Sequence, residues 1–332
     1  MKYIGELVEG EKIESVFAVS EKQLRTTRAG KSFISMKLMD KTGSADAVVW
    51  DNAEATALKF EKGDFVGVRA EVGIYNGNKQ LTIQQLKKVE KTPEYVTRFL
   101  PVTDRDVDVL AEELTGFAVS IQSDGIRRLI EGFLTDPEFM GLFKTSSAAK
   151  GMHHVFAGGL IQHTLKVVRL CDLIYREYEI TDPMISCMID RDILIAGAIL
   201  HDMGKIVELS REPGFDYTTK GRLLGHVVIG LMELKKRLDT TEGIPEERAD
   251  LLMHLIISHH GEYEYGSPKR PKSMEAFILH YADNLDAKLQ GIAEFAGKDA
   301  TEGDFTAFHR LYDRCFYKGR SLDTEGEDGP QT

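Results

Sequence analysis

The chain has 332 residues, a net charge of −11, 42% hydrophobic and 29% charged residues, which is the composition of a globular protein long enough for two domains. No apolar run approaches the roughly 20 residues of a membrane span, and acidic residues near the start argue against a signal peptide. Three widely spaced cysteines without a C-x-x-C pair argue against a disulfide framework or a thiolate zinc site, so we expect a cytoplasmic protein with no membrane contact.

Residues 1–92 carry the pattern of a small β-barrel. The stretch SFISMKLMD (32–40) alternates aliphatic with other residues, and residues 64–89 are typical of two strands joined by an Asn-Gly turn at 76–77. Several strands and one short helix within about 80 residues predict a Greek-key barrel of the OB type. The alternative is a β-domain with no specialised surface.

Aromatic and basic residues make this first module a candidate for binding single-stranded nucleic acid. OB barrels combine a basic groove with aromatic side chains on which bases stack. Residues 1–92 have a net charge of +2, whereas the remainder has −13. Core packing is the alternative for each aromatic residue, because such residues are usually buried. The candidate contacts are Phe33, Lys37, Trp50, Tyr75 and Lys79.

The pattern becomes helical from Pro93 onward. Residues 93–150 are either a helical linker that braces the two modules or the beginning of the second module. Residues 151–320 carry longer helical patterns and form the predicted second domain. The acidic tail 321–332 has the composition of a disordered segment.

Potential metal ligands lie on successive helical patterns of this second domain, each among aliphatic neighbours. All ten histidines of the chain lie between His153 and His309. A buried imidazole or carboxylate is unfavourable without a partner, and bundles build metal sites from side chains on facing helices. A lone buried histidine is more often a core residue, but the ordered series favours one or two ions of Mn, Fe, Co, Zn or Ni. In chain order the candidates are His163, His201-Asp202, His226, His259-His260 and Asp283.

This order resembles the HD-domain metal phosphohydrolases, which are all-α enzymes named for the His-Asp doublet. The segments HHVFAGGLIQHTLKVV, ILHDMGKIVEL, LLGHVVIG, ISHHGEYEYGSPKRP and ILHYADNLDAK together resemble the YhaM-type 3′–5′ exoribonucleases, which join an OB module to an HD domain. The resemblance implies a multidomain β + α fold, with an N-terminal OB barrel followed by an all-α HD bundle. It also implies Mn²⁺ as the metal.

The resemblance assigns a role to each candidate ligand. Asp202 would bridge if two ions bind. Whether both histidines of the His259-His260 pair bind metal is open, because adjacent helical residues point about 100° apart. The core ligands would be His163, His201, Asp202 and Asp283, and the residues that complete a second site would be His226, His259 and His260.

Asp202 and Lys205 are the expected catalytic residues. Lys205 lies three residues after Asp202, on nearly the same side of a helix, where it could hold the scissile phosphate or steady the leaving group. The alternative is a solvent-facing lysine favoured by the helix dipole. We expect Gly204 to end the helix so that Lys205 faces the site. His154 is a candidate contact for substrate phosphate, and the nucleophile would be a metal-activated water.

Three functions fit these residues. The first is a metal-dependent 3′–5′ exoribonuclease that releases nucleoside monophosphates from single-stranded RNA, and also from single-stranded DNA if the site accepts it. The second is an HD-type phosphodiesterase of free or cyclic nucleotides with a regulatory barrel, and the third is a nucleic-acid-binding protein with a structural metal. The barrel disfavours the second, and the ligand set with Lys205 disfavours the third, since a structural metal needs no open position. The sequence leaves RNA versus DNA, and assembly into a homo-oligomer, undecided.

Overall fold

The computed structural model describes residues 2–27, 29–75, 77–90, 103, 105–149, 156–210 and 216–319. The predictions that concern the acidic tail, His154 and part of the 93–150 segment therefore lie outside the described residues.

The first module is a closed β-barrel with the strand order β1-β2-β3-β5-β4. Neighbouring strands pair antiparallel, except for the parallel pair of β3 with β5. The predicted barrel and its short helix are confirmed, and closure leaves no unpaired sheet edge. The elements are β1 (Lys12–Thr26), β2 (Ser32–Asp40), β3 (Gly43–Val49), α1 (Ala53–Ala57), β4 (Phe65–Tyr75) and β5 (Asn78–Val89).

Strand β2 shows how the alternation of the sequence becomes two faces. Ile34, Met36 and Leu38 are buried in the barrel core, while Phe33 and Lys37 are partly exposed on the other face. This separation follows from the two-residue period of a strand. The outer face of β2 is therefore free to carry contacts.

The second module consists of helices wherever the structure describes regular elements beyond residue 103. None of the described helices is both long and apolar enough to cross a membrane. The elements are α2 (Val107–Val119), α3 (Asp124–Leu134), α4 (Pro137–Thr145), α5 (Gly159–Thr181), α6 (Pro183–Ser186), α7 (Arg191–Leu200), α8 (Lys205–Glu208), α9 (Thr219–Leu238), α10 (Glu246–Ser258) and α11 (Met274–Lys298).

Helices α2 to α4 share the hydrophobic core of the longer helices. Leu114, Ile130 and Phe143 belong to the same buried cluster as Leu165 of α5 and Ile195 of α7. The barrel has a separate core. The segment 93–150 therefore contributes to the second core, while the exact domain boundaries stay a prediction.

Helix α7 places the His-Asp doublet at the centre of the bundle. From Ile193 to Leu200 its residues are all buried, and it packs against α5, α10 and α11. Asp190 begins the helix by accepting a hydrogen bond from the backbone N–H of Ile193. The helix ends at Leu200, so the doublet follows it directly into the interior.

Candidate metal centre

Asp202 lies between two groups of side chains, and its Oδ2 atom faces the first group. This oxygen is 3.5 Å from Nε2 of His163 and 3.4 Å from Nε2 of His201. The two Nε2 atoms are 3.3 Å apart, and Oδ1 of Asp283 lies 3.1 Å from Nε2 of His163. Side chains from α5, α11 and the turn after α7 thus converge on one point.

The other carboxylate oxygen of Asp202, Oδ1, faces the second group. It is 3.5 Å from Nε2 of His226 and 3.7 Å from Nε2 of His259. Nε2 of His260 lies 3.2 Å from Nε2 of His226. The ring atoms of these three histidines are close enough to share one ion. Both members of the His259-His260 pair therefore point into the cluster, because the pair follows the last residue of α10 and is not held on one helical face.

The polar atoms of this cluster fit divalent cations. In the described part of the chain, Oδ1 of Asp202 and Nε2 of His259 make no hydrogen bond although both are buried. Leaving buried polar atoms without partners is costly. Two nitrogen ligands at about 2.1 Å from one ion lie about 3.0 Å apart in octahedral and about 3.4 Å apart in tetrahedral coordination, and the two Nε2–Nε2 distances, 3.3 and 3.2 Å, fall in this range. The donor set of imidazole and carboxylate suits a transition metal.

Backbone carbonyl groups hold three of the imidazole rings in one orientation. The Nδ1 atoms of His201, His259 and His260 lie 2.9, 2.7 and 3.0 Å from carbonyl oxygens. A ring that donates from Nδ1 carries its lone pair on Nε2. The Nε2 atoms therefore face the centre as acceptors, as metal ligands require.

Two carboxylates that sequence reasoning missed support the remaining rings. Oδ2 of Asp286 lies 2.7 Å from Nδ1 of His163. Glu208 accepts the backbone N–H of His226 at 2.9 Å and lies 3.0 Å from its Nδ1 atom. Metal-bound histidines commonly donate the second ring N–H to a carboxylate. The signal for Asp286 was its position three residues after Asp283, on the same side of α11.

Burial and charge act in opposite directions on protonation in the cluster. Burial lowers the pKa of His163, but hydrogen bonds to three carboxylates hold that pKa well above its ordinary value. Burial raises the pKa of Asp202, but the charges of Lys205 and His201 hold it well below its usual range. Burial, aided by the neighbouring histidines, lowers the pKa of His260 to about 3. Before an ion binds, the cluster thus presents ionised Asp202 and a neutral His260 ring, both of which can bind a cation, whereas His163 carries a proton that the cation would displace.

Lys205 points into the site. Its Nζ atom is 2.6 Å from Oδ2 of Asp202, and its side chain is 13% exposed. Burial lowers the pKa of Lys205, but Asp202 raises it above its ordinary value, so this side chain is a cation. Lys205 therefore faces the site and not the solvent.

The expected role of Gly204 as the end of the helix is wrong. Helix α7 ends four residues earlier, at Leu200, and the φ of Gly204 is an ordinary −65°. A Cβ atom on this residue would lie 2.0 Å from the carbonyl oxygen of His226 and 2.8 Å from the backbone nitrogen of Gly230. Glycine is needed because the turn passes directly against α9.

A break in α9 turns His226 toward Asp202. Gly225 has φ +70° and ψ 157° inside the helix, a conformation that glycine adopts without strain. The break frees the backbone N–H of His226 to bond Glu208. The ring then lies against the cluster.

Two of the histidines outside the series have structural roles. Nδ1 of His280 lies 2.8 Å from the carbonyl oxygen of His259. His254 accepts the backbone N–H of Lys272 at 3.0 Å. Neither ring is part of the groups that could hold an ion in the described chain.

The aromatic candidates of the barrel lie on its surface. Phe33 and Trp50 stack with ring centroids 4.7 Å apart, and Trp50 is 38% and Tyr75 61% exposed. Tyr75 lines an open groove of about 320 Å³ together with Lys37. None of the three rings belongs to the barrel core, and the exposed rings of Trp50 and Tyr75 are accessible to a base.

Lys79 differs from the other barrel candidates. Its Nζ atom lies 3.5 and 3.3 Å from carbonyl oxygens of the 3-10 helix Ile4–Glu6. It also lines a groove beside Lys37. The contacts with the 3-10 helix give it a structural role at the start of β5.

Comparison with protein families gives two matches. Residues 160–288 match the HD domain, and residues 18–89 match an OB-fold nucleic acid binding domain. The two matches fall on the helical bundle with the cluster and on the barrel.

Curated relatives are similar over nearly the whole chain. The 3′-5′ exoribonuclease YhaM of Geobacillus sp. strain WCH70 is 33% identical over 311 residues, which are 93% of this chain and 92% of the relative. The enzyme of the same name from Bacillus subtilis strain 168 is 32% identical over 93% of this chain and 95% of its own length. The similarity therefore spans both modules.

Proposed function

The chain belongs to the YhaM family of 3′–5′ exoribonucleases, and on this premise we propose that it is a metal-dependent exonuclease that shortens single-stranded RNA from its 3′ end. The proposal rests on the two sets of histidine rings around Asp202, one set facing each of its carboxylate oxygens. Two ions about 3.5–4 Å apart are the usual arrangement for an in-line displacement at phosphorus.

Each group of ligands would hold one divalent ion. Asp202 would bridge them with one oxygen toward each. We propose Mn²⁺ because the resemblance to the YhaM-type exoribonucleases implies it, and imidazole with carboxylate can bind this ion. One ion would be held by His163, His201 and Asp283, and the other by His226, His259 and His260.

Bound ions would lower the pKa of a water toward neutrality and so supply the nucleophile. Lys205 has three N–H donors and uses one on Asp202, so a second can bind a non-bridging oxygen of the scissile phosphate. The new bond joins the water oxygen to phosphorus, and the bond from phosphorus to O3′ breaks. The leaving O3′ takes a proton, giving a 5′-monophosphate and a strand one nucleotide shorter.

The barrel would hold the strand upstream of the cut. Trp50 and Tyr75 are exposed rings on which bases can stack, and Lys37 lies in the same groove as Tyr75. We propose residues 1–92 as the strand-binding module and 151–320 as the catalytic one. The free cysteines, two of them exposed, support a reducing cytoplasm as the location.

The test uses the full chain with RNA labelled at either end. After treatment with a chelator and reconstitution with Mn²⁺, 5′-labelled RNA should give a ladder, and 3′-labelled RNA should release only a labelled mononucleotide. Asp202→Ala should retain its helical content, bind less metal and cleave neither. Cleavage of a cyclic dinucleotide without cleavage of RNA would overturn the proposal, as would full turnover by metal-depleted Asp202→Ala. The rate on single-stranded DNA of the same sequence, compared with the rate on RNA, measures the selectivity for ribose over deoxyribose.

A further inference from the structure

The segment 261–272, which we call the site loop, places exposed aromatic and basic side chains beside the metal cluster. It follows His260 directly and includes the 3-10 helix Tyr263–Tyr265. Tyr263 is 56% and Tyr265 63% exposed. Aromatic side chains of this size are usually buried for most of their area, so two neighbouring exposed tyrosines need an explanation.

The site loop is held against the cluster. Nδ1 of His260 lies 3.0 Å from the carbonyl oxygen of Tyr265. Gly261 leaves α10 with φ +82°, and a Cβ atom there would lie 2.2 Å from the ring of His280. Ser267 donates to the carbonyl oxygen of Ile257 at 3.2 Å. These contacts hold the backbone of the two tyrosines directly beside His260, a candidate metal ligand.

The charge of the site loop differs from that of its surroundings. The helical part of the chain is strongly acidic, but Lys269, Arg270 and Lys272 lie within four positions and are exposed. The guanidinium group of Arg270 lies 4.9 Å from the ring centroid of Tyr263, and its Nε atom donates to Glu262 at 2.8 Å. The ion pair holds the arginine on the ring.

Single-stranded nucleic acids are bound by this combination of aromatic faces and cations, because each base offers a face for stacking and each phosphate a charge. A substrate phosphate at the metal cluster brings its flanking nucleotides to the adjacent surface. A stable protein partner would need an interface that buries about 1,000 Å² or more, whereas the two tyrosines with Arg270 form a small platform. The chemistry and the position therefore favour the RNA strand as the occupant.

We propose that Tyr265 stacks on a base next to the scissile phosphate and that Tyr263 with Arg270 extends this platform along the strand. This inference rests on the proposed function. It gives the catalytic module its own contacts with the 3′ end, separate from those of the barrel.

The experiment compares Tyr265→Ala with Tyr265→Phe in the full chain reconstituted with Mn²⁺. The control is Tyr178→Ala, which removes a 38% exposed tyrosine of α5 fifteen residues beyond His163, about 22 Å along the helix. Three substrates are used: a 5′-labelled RNA, the same RNA with abasic 3′-terminal nucleotides, and methyl p-nitrophenyl phosphate, which has no base.

Tyr265→Ala should raise the KM for RNA about 5- to 150-fold, the change that corresponds to the loss of one stacked base. The phenylalanine variant and the Tyr178 control should match the wild type. All proteins should cleave the abasic RNA and the methyl ester at equal rates and bind equal amounts of manganese, because the metal site is unchanged.

An unchanged KM for RNA in Tyr265→Ala would overturn the inference. An equal loss on all three substrates would overturn it too, since the side chain would then act only on the structure of the site. In both cases the wild type still degrades RNA, and the proposed function stands. A wild type that cleaves the methyl ester but not RNA would overturn both.

Discussion

Replacing Gly204 by alanine tests whether close packing of the turn against α9 builds the metal cluster. The added Cβ atom would lie 2.0 Å from the carbonyl oxygen of His226 and 2.8 Å from the nitrogen of Gly230. Both obstacles are backbone atoms, which cannot swing away as a side chain can. We therefore expect α9 and the turn to separate, and His226 to move away from Asp202.

The magnitude follows from that overlap. A carbon and a carbonyl oxygen need more than 3 Å, so the backbone must yield by about an ångström, and overpacking of a filled core costs about 1–3 kcal/mol, occasionally more. Because only backbone atoms can move, we expect the free energy of unfolding to fall by about 3 kcal/mol, the upper end of this range. That is a large part of the stability of an ordinary domain, about 5–15 kcal/mol.

The assay is urea unfolding of the chelator-treated protein, followed by calorimetric titration with Mn²⁺. Gly204→Ala should lower the free energy of unfolding and weaken the binding of manganese. Gly230→Ala is the matched control at the same contact, because its Cβ atom would lie 3.4 Å from the nitrogen of Gly204, an ordinary distance. It should be neutral or stabilising by up to about 1 kcal/mol, the helix propensity gained. If both variants unfold and bind manganese alike, the packing argument is wrong.

Three further changes separate the roles of the other groups. Lys205→Ala should lower kcat about 100-fold, close to 3 kcal/mol of transition-state stabilisation, with unchanged metal content; a wild-type rate would leave Lys205 without a role in the reaction. Asp286→Asn should weaken manganese binding about 10- to 100-fold, because His163 loses its carboxylate partner, and equal affinity by calorimetry would contradict this. A chain that begins at residue 93 should cleave a dinucleotide at nearly the full rate but leave long RNA after fewer cuts, with a shallower dependence on salt. Equal processivity with and without the barrel would refute the proposed division of labour.

The candidate ligands could be predicted because each is an anomaly within an apolar helix or directly after one. Polar side chains such as His163 and Asp202 are costly among aliphatic neighbours unless they share a partner, so the sequence alone marks them. These side chains come close together because the apolar faces of their helices meet in one core. Strand β2 could be predicted because the alternation in its sequence separates a buried face from an exposed one.

Of the two supporting carboxylates, Asp286 has a local signal in its spacing from Asp283, whereas nothing local marks Glu208. Glu208 accepts the backbone N–H of His226, which is free because α9 breaks at Gly225, and His226 lies against the turn at Gly204. The contacts of Lys79 with the 3-10 helix could not be predicted either, because the two segments are far apart in the chain. These features depend on distances between elements that are far apart in the chain.

The separation of the two hydrophobic cores has a consequence for the order of events during synthesis. Every strand of the barrel has been synthesised once Val89 is made, and the barrel core needs no residue from the helices of the second module. The metal cluster takes side chains from His163 to Asp283, so it cannot form until most of the chain exists. Domains generally fold as units with the N-terminal one first. On the proposed division of labour, a nascent chain would therefore complete its strand-binding module well before it could break a phosphodiester bond.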